Sequence, residues 1–397
     1  MPGFEMFGEL EKAQVNDVLE NGVLMRYGFD AMRNGHWKAN QLEHELCKTL
    51  NVSYAQLVSS GTAAVTTALA VAGVGAGDEV IMPTFTFVAS FEAVLMLGAV
   101  PVLVDIDDTL TLDPVAVENA ITEKTKAVMV VQMCGSMGDM ERLKTICTKH
   151  NLIFIEDACQ AIGGSYKNKS LGTIADVGCF SFDYVKTITC GEGGAIVTNN
   201  KDYYIRADHF SDHGHDHIGK DRGAESHPFL GYNFRISELN AAVGLAQIKR
   251  LKEFIDIQKK NYSILRKELA NIKDVTFRRV PEGGEESYAF LNFYLPNLDI
   301  ARNVSQQFKA NGIDACFHYF DNNWHYVRRW EHLKESKSLY PLSAEIRNTL
   351  SELNTRDFEQ SDHFIGRNLS CLIKLTWTED EAHQRAKKMR VIIEKNL

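Results

Sequence analysis

Short runs of consecutive apolar residues alternate with segments of helical length through the first half of this 397-residue chain. The runs 80–82, 100–104, 127–131 and 152–155 are apolar throughout, and the segments 88–97, 114–121 and 140–150 are long enough for helices. A strand that is apolar at every position is buried on both faces, and strands that alternate with helices pair in parallel. The pattern predicts the α/β class: a mainly parallel sheet covered by helices, with ligands bound beyond the carboxyl ends of its strands. After residue 250 the pattern changes. An amphipathic segment with Ile248, Leu251, Ile255, Tyr262, Leu265 and Leu269 on one stripe leads into strands near 287–294, 315–319 and 369–375, with helices between them. This predicts a large domain over 1–250 and a smaller α+β domain over 251–397, whose last helix begins at a capping box, Thr378 with Glu381.

Composition narrows the function classes. With 45% hydrophobic and 24% charged residues the chain is globular rather than disordered or fibrous. A net charge of −9 without an extended Lys/Arg cluster argues against a nucleic-acid or membrane-surface binder, while leaving room for a local pocket for an anionic small molecule. The eight cysteines show no CxxC and no paired spacing, which predicts reduced thiols and a cytoplasmic protein. The start, Met1-Pro2-Gly3-Phe4-Glu5, has no signal-peptide pattern, and no apolar run is long enough to span a bilayer.

The stretch most suggestive of chemistry is 177–198. An apolar run ends in a polar turn carrying Lys186, and Gly191, Gly193 and Gly194 lead into a second apolar run. This reads as strand, loop, strand, with one lysine at the mouth of the loop. Such an amine can form a Schiff base with an aldehyde. Taken alone it is explained by a solvated loop, but other stretches supply what pyridoxal phosphate needs. Ser60-Gly61-Thr62 opens a helix of small residues, and the free N–H groups there suit a phosphate, although ordinary capping accounts for the same residues. Phe85 or Phe87 can cover an aromatic ring, or belong to the core. Asp157, at the end of another apolar run, is a partner for a protonated pyridine nitrogen or a helix cap. Four histidines, His209, His213, His215 and His217, invite a metal reading, yet no cysteine or carboxylate spacing completes a site, so no metal is expected; His213 is placed to contact substrate. His318-Tyr319 and Trp324-His325 are further residues that can face a ligand.

Ser60-Gly61-Thr62, Phe85-Thr86-Phe87-Val88, Glu156-Asp157-Ala158, Ser181-Phe182 with Lys186, Gly191-Glu192-Gly193-Gly194-Ala195 and Gly231-Tyr232-Asn233-Phe234-Arg235 together resemble the DegT/DnrJ/EryC1/StrS sugar aminotransferases. The resemblance implies a fold-type I pyridoxal-phosphate enzyme, like aspartate aminotransferase, active as a homodimer with shared sites. It implies that Lys186 holds the cofactor covalently, Asp157 pairs with its ring nitrogen, Phe87 stacks on the ring and Gln160 lies near its hydroxyl. Gly61, Thr62 and Ser181 would bind the phosphate, with Asn233 reaching it from the second subunit. L-Glutamate would donate the amino group and a keto sugar accept it. Lys186 also sets the chain apart from dehydratases of the family, which carry histidine there; a regulator that keeps the cofactor without turnover is the alternative of another class. Two stretches depart from the family pattern: Asp183-Tyr184-Val185 before the lysine, and the loop 22–28 followed by Asn34-Gly35-His36-Trp37. That loop is similar to the loop of transaminases that make 8-amino-3,8-dideoxy-octulosonate from an 8-oxo derivative of the lipopolysaccharide sugar acid Kdo. On this reading Arg26 is a carboxylate partner, with Tyr27, His213, Arg235 and His318 as further acceptor contacts; a nucleotide-linked keto-hexose is the alternative acceptor.

Overall fold

The computed structural model describes residues 2–219 and 222–397. In chain order its strands are β1 (Tyr54–Val58), β2 (Glu79–Pro83), β3 (Val100–Val104), β4 (Thr125–Val131), β5 (Ile153–Asp157), β6 (Ser165–Tyr166), β7 (Lys169–Ser170), β8 (Val177–Ser181), β9 (Gly194–Thr198), β10 (Thr276–Phe277), β11 (Gly284–Glu285), β12 (Phe290–Tyr294), β13 (Cys316–Phe317) and β14 (Asn368–Leu372). Seven of them form the central sheet, in the order β1-β9-β8-β5-β4-β2-β3. From β8 to β3 all pairs are parallel, as the apolar runs predict. The exception is β9, antiparallel to both neighbours. Its approach explains this: the connection from β8 contains no crossover helix, and only an antiparallel partner can be reached that way.

The helices between the strands start where their caps dictate. Ser60 Oγ accepts from Ala63 N–H at 3.0 Å to begin Gly61–Val71, and Asp139 accepts from Arg142 N–H at 3.1 Å to begin Met140–His150. Asp113 caps Pro114–Asn119, with proline at the position that lacks a needed donor. Helix Gly61–Val71 buries Ala63, Ala64, Val65, Ala68 and Leu69 against the sheet near β8 and β9.

Beyond residue 250 the chain forms a four-stranded antiparallel sheet, β10-β12-β14-β13. Helix Leu251–Leu269 buries Leu251, Phe254, Tyr262, Leu265 and Leu269, packing on β12 and on helix Glu379–Glu394. The last helix starts with the expected Thr378–Glu381 capping box. One element was not foreseen. The small sheet β11-β6-β7 joins residues 284–285 to the hairpin 165–170.

The expectation of eight reduced thiols is corrected. Cys316 and Cys371 are direct cross-strand partners of β13 and β14, with Cα atoms 4.1 Å apart, and they are joined by a disulfide. Residues 55 apart in sequence become neighbours only through strand register, so no spacing rule could reveal the pair. Among the described residues no helix is long and apolar enough to cross a membrane.

Candidate active site

Strand register assembles the site. β5 places Val131 of β4 and Cys179 of β8 level with Asp157, so the carboxyl ends of three parallel strands finish in one row. Alternation along β5 sends its two acidic side chains to opposite faces. Glu156 is wholly buried and accepts from the N–H groups of Gly172 (2.8 Å), Ile174 (2.8 Å) and Ala175 (3.0 Å) and from Gln132 (3.1 Å). Burial raises its pKa, and these bonds oppose the rise; it holds the loop 171–176 in place. Asp157, 4% exposed, accepts from Ser90 Oγ at 2.7 Å and from Cys159 N–H at 3.2 Å. Both donors are neutral. Among the described residues no ion pair reaches this buried carboxylate, and a protonated pyridine nitrogen would be a fitting partner for it. Burial, and then the Asp157 charge, pushes the Cys159 and Cys179 thiols well up, so neither is a thiolate nucleophile.

One strand away lies the anion cradle. The Ala63 and Ala64 N–H groups donate to the Ser60 hydroxyl and carbonyl oxygens, leaving the Gly61 and Thr62 N–H groups at the positive end of the helix. Thr62 is exposed and Ser181 is buried beside the helix start. A Cβ on Gly61 would sit 2.6 Å from Ser181 Cβ and 2.7 Å from its Oγ. Only glycine lets the helix mouth approach the end of β8 this closely. Gly194 does the same on the other side, since a Cβ there would lie 2.3 Å from the Ser60 carbonyl oxygen. The cradle therefore has backbone donors and two hydroxyls, the donor set a phosphate monoester uses.

The aromatic wall comes from two distant segments. Phe87 precedes helix Val88–Met96, whose Ser90 reaches Asp157. Residues 324–327 run alongside it: Thr86 N–H donates to His325 O (3.0 Å), Val88 N–H to Trp324 O (2.8 Å), and Phe85 pairs with Tyr326. This clips the 324–327 segment beside Phe87, stacking Trp324 on its ring at a centroid distance of 5.6 Å and setting His325 at a tilt against it at 5.4 Å. Lys186 is half-buried in the 182–193 loop, its N–H bonded to Asp183 O at 3.0 Å. Burial, with the Lys186 ammonium adding to it, holds His325 down to about 3, so His325 is a neutral imidazole at working pH. Asp157 and Lys186 both act electrostatically on Cys159, Lys186 also acts on His325, and His325 stands against Phe87, so the five are neighbours.

Residues 6–362 match the DegT/DnrJ/EryC1/StrS aminotransferase family. The chain belongs to it. It is a pyridoxal-phosphate-dependent aminotransferase of a family whose members aminate sugars. It is 38% identical over 273 residues to a GDP-perosamine synthase of Escherichia coli O157:H7, covering 67% of this chain and 72% of that one. A GDP-perosamine synthase of Vibrio cholerae is 32% identical over 352 residues, covering 84% and 87%. Among solved structures, 3-amino-5-hydroxybenzoic acid synthase superposes with a TM-score of 0.83 at 28% identity, covering 98% of this chain and 97% of that one. The fold-type I architecture expected from the sequence is the one observed.

Other candidates in this aminotransferase lie elsewhere. Arg26 is buried and bonded to Glu43 and, at 3.1 Å, to Gln56, so its charge is already neutralised within the chain. Tyr27 donates to Asp208 at 2.7 Å and stacks on His217. Arg235 bonds Asp212, which also holds His217 at 3.1 Å. These residues form one polar network between residues 22–34 and the 208–217 segment. His318 Nε2 is bonded to Gly366 O at 2.9 Å and Nδ1 to Asp321 at 3.2 Å, leaving no ring nitrogen for a ligand. His213 is exposed with φ 56°, and Asn233 is exposed, pairing only with the Asp212 backbone. Gln160 accepts from Cys134 N–H at 2.9 Å, just past Asp157. Among the described residues no His/Cys/Asp/Glu group is arranged to hold a metal. Sequence reasoning missed Ser90. Its only signal was its place one helical turn after Phe87.

Proposed function

We propose that this aminotransferase moves the amino group of L-glutamate to a keto sugar at the Lys186 site, and that the sugar is the 8-oxo acid that becomes 8-amino-3,8-dideoxy-octulosonate. The observation that supports the transamination is the buried Asp157 carboxylate, bonded among the described residues to neutral donors, with Lys186 near the same Cys159. Pyridoxal phosphate, when bound, supplies an aldehyde for an amine and a ring that accepts electrons from the carbon beside it. The residues do the rest. Gly61, Thr62 and Ser181 would hold the phosphate, and Phe87 and Gln160 would hold the ring. Asp157 keeps a proton on the ring nitrogen. Lys186 would anchor the aldehyde and, as a free amine, would remove and return the proton at the substrate's α-carbon as base and acid. Neutral His325 adds no competing positive charge to the space.

The acceptor assignment rests on the 22–37 loop sequence. Arg26 does not serve it as a carboxylate ligand, since Glu43 already occupies that guanidinium. The second reading is a nucleotide-linked keto-hexose, favoured by the names of the two GDP-perosamine synthases. Further parts of the proposal are a boundary between domains at 250/251, a cytoplasmic location and a homodimer. Exposed Leu24, Phe29, Met32, Phe229 and Leu230 lie on the loops flanking Arg26 and Asn233, and a second copy covering them would receive Asn233 at its phosphate. The test is a single-turnover reaction: enzyme bleached with L-glutamate is freed of donor and mixed with the 8-oxo sugar acid or with nucleotide-linked keto-hexoses. Recovery of the yellow colour fastest with the sugar acid is the expected result; a preference for the nucleotide sugars rejects the acceptor assignment.

A further inference from the structure

Next to Phe87 in the chain and in space lies a pocket of about 400 Å³ lined by Val88, Asn323, Trp324, Arg329, Glu331 and His332. Its inner wall is Trp324, which stacks on Phe87 yet remains 56% exposed. Cations of this segment are otherwise paired: Arg328 with Asp362 at 2.7 Å, His332 with Glu92 at 3.4 Å and Lys334 with Glu331 at 3.7 Å. Arg329 is exposed and forms no ion pair among the described residues, and the Glu331 carboxylate lining the same pocket is paired with Lys334. An unpaired guanidinium presents a planar fork suited to a carboxylate or a phosphate, and an indole face offers apolar area to a sugar or base ring. The two stand side by side, and Trp324 connects them to the reacting space through Phe87 and His325.

We propose that this pocket is the outer subsite for the acceptor, where Arg329 holds an anionic group of the keto sugar, a carboxylate or a diphosphate, while Trp324 packs on its ring. The proposal rests on the keto-sugar reading above. It makes Arg329, rather than Arg26, the residue that recognises the acceptor's charge.

The test uses the holoenzyme and separates the two half-reactions. Arg329→Ala raises the acceptor KM about tenfold, equal to about 1.4 kcal/mol, with kcat within twofold, and Arg329→Lys recovers part of the loss. Arg347→Ala, an exposed cation whose guanidinium bonds only the Leu342 carbonyl oxygen, leaves KM unchanged and controls for lost charge. An unchanged acceptor KM in Arg329→Ala overturns the proposal. So does slower bleaching by L-glutamate with an unaltered acceptor step, which would put the donor's carboxylate on Arg329. If the wild type turns over no keto sugar, the amination reading itself has failed, and calorimetry then decides the subsite alone. Titration of the holoenzyme with inorganic diphosphate and with Kdo should show binding of one of them that Arg329→Ala abolishes. Diphosphate binding indicates a nucleotide-linked acceptor and Kdo binding a sugar acid; binding of neither, or binding unaffected by the substitution, contradicts the pocket's assignment.

Discussion

Replacing Gly61 with alanine tests the cradle with a single methyl group. The new Cβ would lie 2.6 Å from Ser181 Cβ, 2.7 Å from its Oγ and 3.4 Å from its Cα. Carbon atoms settle at about 3.5–4.0 Å, so the helix mouth and the end of β8 must part by roughly 1 Å. Alanine favours a helix by up to about 1 kcal/mol over glycine, whereas overpacking of a tight contact costs about 1–3 kcal/mol. The folded apoprotein should therefore lose no more than about 3 kcal/mol. The cofactor loses more. A shift of that size breaks at least one amide bond to a phosphate dianion, worth about 1.5–3 kcal/mol, which weakens cofactor binding roughly 10- to 100-fold. Urea unfolding of the apoprotein measures the first quantity, and titration with pyridoxal phosphate, followed by absorbance, the second. A Gly61→Ala protein that is folded and binds the cofactor within twofold of the parent refutes the phosphate cradle.

Asp157→Asn cannot hold a proton on the ring nitrogen, and stopped-flow bleaching with L-glutamate should slow about 10²–10³-fold, the usual loss for one preorganised electrostatic partner. Ser90→Ala removes a single hydroxyl donor to Asp157 and should cost about tenfold in the same assay; a larger effect than Asp157→Asn would contradict the assignment. Two histidines should shape stability in opposite directions. Burial alone would lower His217, but its bonds to Asp208 and Asp212 and their charges raise it from 6.5 to about 9. Its contribution is thus full below pH 6.5 and is lost as pH rises through 9. His325, lowered from 6.5 to about 3 by burial and by Lys186, contributes above pH 6.5 and loses that contribution as pH falls toward 3. Melting temperature against pH should show His217→Gln flattening the alkaline limb and His325→Gln the acid limb; an unaltered limb in either variant refutes the corresponding sign.

What could be read from the sequence was local. The apolar runs 100–104 and 127–131 and the segment 140–150 became β3, the buried part of β4 and helix Met140–His150, because burial on both faces and end caps are written in neighbouring residues. Asp157, Gly61 and Ser181 were visible for the same reason, each at the end of a strand or the start of a helix. Pairings across the chain were not. Arg26 reads as a free cation until the fold brings Glu43 and Gln56 to it, and His318 as a ligand until Gly366 arrives from 48 residues away. His325 joins the site only because residues 324–327 pair beside Phe85, and Cys371 meets Cys316 only through the register of β14.

The decisive measurement is to reduce the yellow holoenzyme with borohydride, digest it and locate the pyridoxyl group by peptide mass mapping. A label confined to Lys186, and a Lys186→Ala protein that L-glutamate no longer bleaches, is the predicted result. A label on any other lysine, or a Lys186→Ala protein that transaminates at the parent's rate, contradicts it.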